Sequence, residues 1–341
     1  MVEGVPMRVV VIGLGSMGRR RIRLLKTFSS VSEIKGVDLS ESRRTQAEKE
    51  CGIRTCPSLA KVLETTAPDV AFVCTSPASH GSIVMECLEK GLNVFTEINL
   101  ICDWYDVAAR LAKSKGLKLF ISSTFLYRRE IEYITNAVRG VKINYIYHSG
   151  QYLPDWHPWE SYKDYFVSDK RTNACREILA IEFPWIIEAF GDIEGIYVMK
   201  GRNSSLDIDF ADNYIISIQH KTGNKGVLCQ DILSRKGLRR LEVFSETMHI
   251  FWEGTPSTLS VYDLDKKALE PITLYDRVEQ REGYNANIIE NAYREEIVDF
   301  FAWLDGKSTP KYSFAKDKNV LSLIDRIDKS DQTSFHLNMG E

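Results

Sequence analysis

The sequence predicts an α/β fold class: a doubly wound parallel sheet at the N-terminus, then an α+β domain built on a large, mostly antiparallel open sheet. Three observations carry this. The apolar run Val9-Val10-Val11-Ile12 leads directly into Gly13-Leu14-Gly15-Ser16-Met17-Gly18. Short apolar segments then alternate with amphipathic, charged ones over the first 120 residues, the rhythm of strands and crossover helices. Beyond residue 125 the segments become longer and rich in β-branched and aromatic residues, with short polar turns between them. The boundary is therefore expected near residue 125, giving domains 1–125 and 126–341, and 341 residues suffice for two cores.

The first strand, over 8–12, ends in a glycine turn whose three glycines have separate tasks. Gly13 permits the tight turn, Gly15 lets a pyrophosphate approach the backbone, and Gly18 lets the next helix pack closely on the sheet. Ser16 and Met17 open that helix, whose first N–H groups lack intrahelical acceptors and face an anion. The second strand, over 33–38, closes on Asp38, 20 residues beyond Gly18, where a carboxylate can accept hydrogen bonds from the adenosine ribose. Strand, glycine turn, helix and acid together form the fingerprint of a Rossmann dinucleotide site. Asp38 would repel a 2′-phosphate, which favours NAD. NADP stays possible, because Arg43 and Arg44 follow closely and either neutralise that phosphate or are solvated helix residues.

Further strands are expected over 70–74, 92–95 and 118–121. Their carboxyl ends should meet the ligand, which brings in Thr75 and Ser76 after the third strand and Glu97 after the fourth. His80, opening the next helix, either contacts the nicotinamide half of the cofactor or bonds a loop carbonyl. Glu97 either accepts a hydrogen bond from its own loop or meets the carboxamide region. In the second domain, strands are expected from Lys142 to Tyr152, Asn213 to His220, Gly226 to Leu233, Leu241 to Ser245 and His249 to Trp252. A helix from Arg176 to Phe190 should pack on them, bent or restarted at Pro184. Tyr293, Ile297, Phe300, Phe301 and Leu304, and then Val320, Leu321, Ile324 and Ile327, recur at helical spacing and read as core.

Lys and Arg number 44 against 47 Asp and Glu, a formal charge of −3, so no cationic field suits a nucleic acid. Seven cysteines are scattered without CxxC spacing and read as small buried hydrophobes in a reducing compartment, with no metal site expected. No leader or membrane-spanning stretch is legible, and a cytoplasmic protein is expected. An open sheet with one apolar face commonly pairs with its own copy, so a homodimer or homotetramer is expected.

The dinucleotide motif, the Thr75-Ser76-Pro77 run with His80, Glu97 at a strand end and the C-terminal α+β domain together resemble the glucose–fructose oxidoreductase and inositol dehydrogenase family, over essentially the whole chain. The resemblance implies hydride transfer between a nicotinamide and a sugar-like substrate, nucleotide-linked sugars included. Members normally follow the glutamate with Lys-Pro, and carry an Asp and a His on a helix facing the nicotinamide. Here the turn reads Glu97-Ile98-Asn99, Glu177 stands where the aspartate would, and the histidine position falls on Ile181. Isoleucine neither accepts nor donates the proton that alcohol or ketone chemistry requires.

A replacement is offered by the segment from Gly150 to Tyr165, which in the resembling fold faces the nicotinamide cleft. His157 could relay the substrate proton with Asp155 or Glu160, and Lys163 or Tyr162 could hold the substrate oxygen. Trp156 and Trp159 offer surfaces for a sugar ring. Otherwise the segment is a long loop pinned by its tryptophans. The candidate catalytic residues are thus His157, Lys163 and Glu177, with Glu177 alternatively in an ion pair with Arg176. Tyr127-Arg128-Arg129 is either a hinge or a grip for an anionic substrate. Two other functions fit the missing lysine and histidine: a dinucleotide-binding sensor or regulator without turnover, and a reductase of imines or amino sugars.

Overall fold

The structure, a computed structural model, describes residues 6–157, 160–281, 285–330 and 335–338. The chain divides into two units, Met1–Ser123 with Tyr293–Lys318, and Thr124–Ala292 with Asn319–Glu341. The break at 123/124 lies beside the expected 125/126. The segment 293–318, which the sequence division places in the second domain, groups instead with the first.

In the first unit, strands β1 (Met7–Ile12), β2 (Val31–Val37), β3 (Arg54–Cys56), β4 (Val70–Val73), β5 (Asn93–Thr96) and β6 (Leu119–Ile121) form a parallel sheet ordered β3-β2-β1-β4-β5-β6. Helices α1 (Ser16–Leu25), α2 (Glu41–Cys51), α3 (Leu59–Leu63), α4 (Pro77–Glu89) and α5 (Tyr105–Lys115) connect them. Strand order reverses beside β1, which puts the glycine turn at the switch point where such sheets bind ligands. Both faces are covered, so Val9, Val10 and Val11 are all buried and the strands read as continuous apolar runs. Val10, Ile12, Ala71, Val73 and Val94 pack with Val84 and Leu88 of α4 on one face. On the other, the rings of Phe72, Phe95 and Phe120 stack across three strands at 4.6 and 5.0 Å. Phe300 meets Phe72 edge-on at 5.7 Å, which explains why its segment belongs to this unit. β3 was not foreseen, because Arg54-Thr55-Cys56 is too short and polar to show a period.

The second unit contains α6 (Arg129–Ala137), β7 (Asn144–Gly150), α7 (Ala174–Phe190), β8 (Ile193–Gly201), β9 (Asn213–His220), β10 (Lys225–Asp231), β11 (Leu238–Phe244), β12 (His249–Trp252), β13 (Ser260–Asp263) and β14 (Ala268–Pro271). Helices α8 (Glu290–Leu304) and α9 (Phe314–Lys329) and strand β15 (Phe335–Asn338) follow, most of α8 and the start of α9 counting with the first unit. The described strands form a nine-stranded sheet, β14-β13-β12-β11-β7-β10-β9-β8-β15, antiparallel throughout except for the parallel pair β7/β10. One face carries Tyr145, Tyr147, Ile216 and Leu228 against α7, with Tyr145 stacked on Phe190 at 4.2 Å and Tyr147 edge-on to Trp185 at 5.1 Å. Pro184 neither breaks nor restarts α7. Its neighbours Phe183, Trp185 and Ile186 are fully buried, and that packing outweighs the roughly 3 kcal/mol an interior proline costs. Among the described residues no helix is long and apolar enough to cross a membrane.

Candidate functional site

The glycine turn has the geometry its sequence requires. Gly13 sits at φ +93°, and a Cβ there would lie 2.6 Å from the Cys74 carbonyl oxygen. A Cβ on Gly18 would lie 1.8 Å from the Gly13 carbonyl oxygen, whereas one on Gly15 would meet nothing within 4 Å. The first and third glycines are therefore held by the protein's own packing, and the second borders open space. Gly15 caps α1 without any side-chain hydrogen bond, and the first turn of that helix, with Ser16 and Met17, opens at the glycine turn, where a helix N-terminus favours an anion. Asp38 accepts the Leu14 N–H at 2.8 Å and the Ser40 N–H at 2.9 Å, tying the turn to the end of β2. These residues fit a dinucleotide: Gly13, Gly15, Ser16, Met17 and Gly18 would hold the pyrophosphate and Asp38 the ribose. Arg44 donates to the Asp38 and Leu39 carbonyls at 2.8 and 2.9 Å, while Arg43 is exposed.

The two neighbouring strand ends are built differently. Ser79 Oγ donates to Thr75 Oγ1 at 2.9 Å, and exposed Ser76 caps α4. His80 is buried with both ring nitrogens engaged, Nε2 at 2.9 Å from the Thr75 carbonyl and Nδ1 at 2.5 Å from the Asn99 side chain. Burial lowers its pKa and keeps it neutral. The loop-carbonyl role is the one its ring performs. Glu97 is likewise occupied: Arg21 donates to it from Nε at 2.5 Å and from Nη2 at 3.1 Å. Arg21 also reaches Glu296 at 2.6 Å, and Glu296 accepts the Ser123 N–H at 2.7 Å. All three charged side chains are buried. Burial raises the Glu296 pKa against the pull of Arg21. The sequence reading missed Arg21, which sits in the run Arg19-Arg20-Arg21 with nothing to mark it as the one that binds Glu97 and Glu296.

In the second unit, His157 Nδ1 pairs with Glu160 Oε1 at 2.7 Å, and the His157 ring stacks on Tyr165 at 4.7 Å. The Tyr165 hydroxyl is buried with no hydrogen-bond partner among the described residues. Burial, then the charges of Glu177 and Glu160, push the phenol pKa up and keep it protonated. Glu177 lies in the first turn of α7, fixed by the Asn173 cap that accepts the Arg176 N–H at 2.8 Å. Its carboxyl has no hydrogen-bond or ion-pair partner among the described residues, and burial raises its pKa to about 7. Arg176 pairs with Asp325 at 2.6 Å and Asp328 at 3.4 Å, so the alternative of an ion pair with Glu177 is not realised. Tyr165 thus stacks on His157 and feels the charge of Glu177.

Lys163 is not part of that group. It forms an exposed ion pair with Asp207 at 2.6 Å, and the Tyr162 hydroxyl accepts the Asp207 N–H. The Trp156 indole N–H donates to the Gln151 carbonyl at 3.0 Å, and Trp159 lies outside the described residues. Arg128 is buried, bound to Glu130 at 2.6 Å and to the Asn287 and Gly254 carbonyls, which makes it structural and no grip for an anion. Tyr165 is the residue that inspection of the sequence overlooked: it lies in the flagged segment, but only burial distinguishes it from Tyr162. Glu182, weighed beside Glu177 in the sequence without a role of its own, accepts from Tyr147, Ser149, Trp185 and Arg239 between 2.6 and 3.1 Å.

Known proteins bear on this arrangement. Residues 7–122 match the model of the oxidoreductase family with an NAD-binding Rossmann fold, Gfo/Idh/MocA. Myo-inositol 2-dehydrogenase of Thermotoga maritima is 22% identical over 330 residues, 93% of this chain and 94% of that protein. Biliverdin reductase A of Mus musculus is 26% identical over 238 residues, 68% of this chain and 72% of its own length. Among solved structures, a Chromobacterium violaceum WlbA dehydrogenase in complex with NADH and UDP-GlcNAcA has TM-score 0.76 at 14% identity, covering 100% of both chains. An Agrobacterium radiobacter oxidoreductase in complex with NAD+, L-tartaric acid and magnesium has TM-score 0.79 at 12% identity, covering 98% of this chain and 99% of that one. The glycine turn closed on Asp38, the parallel sheet around it and the match over residues 7–122 make the first unit similar to the NAD-binding Rossmann fold of the Gfo/Idh/MocA oxidoreductase family.

Proposed function

We propose that this chain is an NAD(P)-dependent dehydrogenase or reductase acting on a hydroxyl or keto carbon of a polar, sugar-like substrate, with Glu177 taking or giving the substrate proton. The observation that carries the reading is the Glu177 carboxyl, partnerless among the described residues and poised at about 7, beside the buried Tyr165 hydroxyl. Bound NAD(P) supplies a two-electron hydride acceptor or donor. Oxidation of an alcohol releases the hydroxyl proton to a base, and reduction of a ketone takes one from an acid. A carboxyl half-ionised near neutrality serves both directions. Tyr165, held neutral, donates a hydrogen bond to the substrate oxygen, and the His157–Glu160 pair passes the proton on to water. Lys163 has no role in this scheme.

Asp38 favours NAD over NADP, since its carboxylate would oppose a 2′-phosphate. The first unit is the cofactor domain, the second the substrate domain, and a second copy of the chain covers the open sheet face. The myo-inositol dehydrogenase relative and the neighbour solved with UDP-GlcNAcA make inositols and nucleotide-linked sugars the first substrates to try. A binding protein without turnover is the competing reading, favoured by Ile98 and Ile181 where the family has lysine and histidine.

The test is NAD+ reduction against a panel of inositols, hexoses and UDP-hexuronates, with wild type and Glu177→Gln, each at saturating cofactor. Expected is turnover with a pH limb near 7 that Glu177→Gln abolishes, lowering kcat by about 10²- to 10⁴-fold with NADH affinity unchanged. A silent panel, together with a Glu177 that titrates by NMR as an ordinary carboxylate in the NADH-loaded protein, would leave the binding-protein reading in possession.

A further inference from the structure

We propose that His148, Cys229 and Asp231 form a site for a thiophilic divalent cation of the zinc type on the open face of the nine-stranded sheet. The placement follows from strand geometry. Cys229 and Asp231 stand two residues apart on β10 and therefore share a face, and His148 is the register partner of Cys229 on β7. This is the parallel pair of the sheet, and it brings an imidazole, a thiol and a carboxylate side by side, their donor atoms all within 4.8 Å of one another. A tetrahedral zinc bound at about 2.0–2.3 Å sets its donors roughly 3.3–3.7 Å apart. His148 Nε2 and Asp231 Oδ2, now 2.7 Å apart, need only part slightly.

The carboxylate is held in advance. Asp231 Oδ1 accepts the Leu233 and Ser234 N–H groups at 2.7 Å each, and Ser234 Oγ donates to Oδ2 at 3.0 Å, the kind of outer support that orients metal ligands. Gly150 leaves room for it, since a Cβ there would lie 2.6 Å from Oδ2. The His148 side chain is 35% exposed in the single chain. Thiolate with imidazole selects zinc-like ions over magnesium or calcium, and three protein donors leave the fourth position to water. No other group of three such donors occurs among the described residues, so one ion per chain is expected.

The experiment is a Co2+ titration of the chelator-stripped full chain. Expected are one equivalent bound per chain, a thiolate-to-cobalt charge-transfer band with intense tetrahedral d–d bands, and their loss on adding Zn2+. Cys229→Ser should remove the charge-transfer band, and His148→Gln should weaken binding at least about tenfold, while both variants keep wild-type NADH affinity and so report a folded protein. The absence of a saturable band, or a charge-transfer band that survives Cys229→Ser, would overturn the proposal.

Discussion

Arg21 and Glu177 are both half of what a charge needs, and they resolve it in opposite ways. Arg21 has two buried carboxylates, and although burial works against its charge, Glu97 and Glu296 raise its pKa. Arg21→Met would leave those carboxylates uncompensated, and breaking a buried pair this way costs about 3–5 kcal/mol. Urea unfolding should show that loss, and a change within experimental error would mean the pair holds little. Glu177 has no such partner among the described residues, and burial lifts its folded pKa to about 7 from the ordinary carboxyl value of 4.5. Between these values the folded state binds the extra proton, and stability falls as pH rises through the window, by up to about 3 kcal/mol once both states are ionised. Glu177→Gln should be free of that decline. Unfolding measured at either end of the window tests this, and parallel pH profiles for wild type and variant would refute it.

Among the elements, the strand–turn–helix of β1 and α1 separates packing from ligand space. Gly18→Ala drives a Cβ into the Gly13 carbonyl and should destabilise by a few kcal/mol, on the order of an overpacked core site. Gly15→Ala meets no neighbour, so its Tm should match wild type while NADH affinity falls at least about tenfold, because the pyrophosphate needs that space. Calorimetry with fluorescence titration checks the pair; a stable Gly15→Ala variant of unchanged affinity would remove the turn from the cofactor site. Helix α7 shows the complementary case, with Asn173 capping its start and Glu182 buried under four donors while Glu177, one turn earlier, has none among the described residues.

At the scale of the whole molecule, the open face of the second sheet is the largest unresolved burden. Register puts Ile146, Val227, Ser217 and Tyr197 in one row and His148, Cys229, Ile215 and Met199 in the next. Ile146, Tyr197, Met199 and Ile215 are each 41–57% exposed, an apolar patch that a second copy would bury. Sedimentation should find a dimer or tetramer, and the double change Tyr197→Asp with Ile215→Asp should shift it toward monomer. A wild type that sediments as a monomer at high concentration would refute self-association.

Local pattern by itself determined the Rossmann half of this protein. The turn Gly13 to Gly18, Asp38 at a strand end and the fully apolar strands are consequences of backbone sterics and two-sided burial, which act within a few residues and leave their mark in the sequence. The antiparallel second sheet was legible in outline, through β9, β10 and β12, but β8, β13, β14 and β15 were missed, β13 and β14 because short strands with little burial show no alternation. What only the tertiary structure decided was which polar side chains are spent. His80, Glu97, Arg128 and Lys163 read as available groups and are each bound by partners, three of them buried, whereas the Tyr165 hydroxyl and the Glu177 carboxyl have no hydrogen-bond partner among the described residues. Burial and partnership arise between residues distant in the chain, as from Arg21 to Glu296 or from His148 to Cys229, and no local period records them.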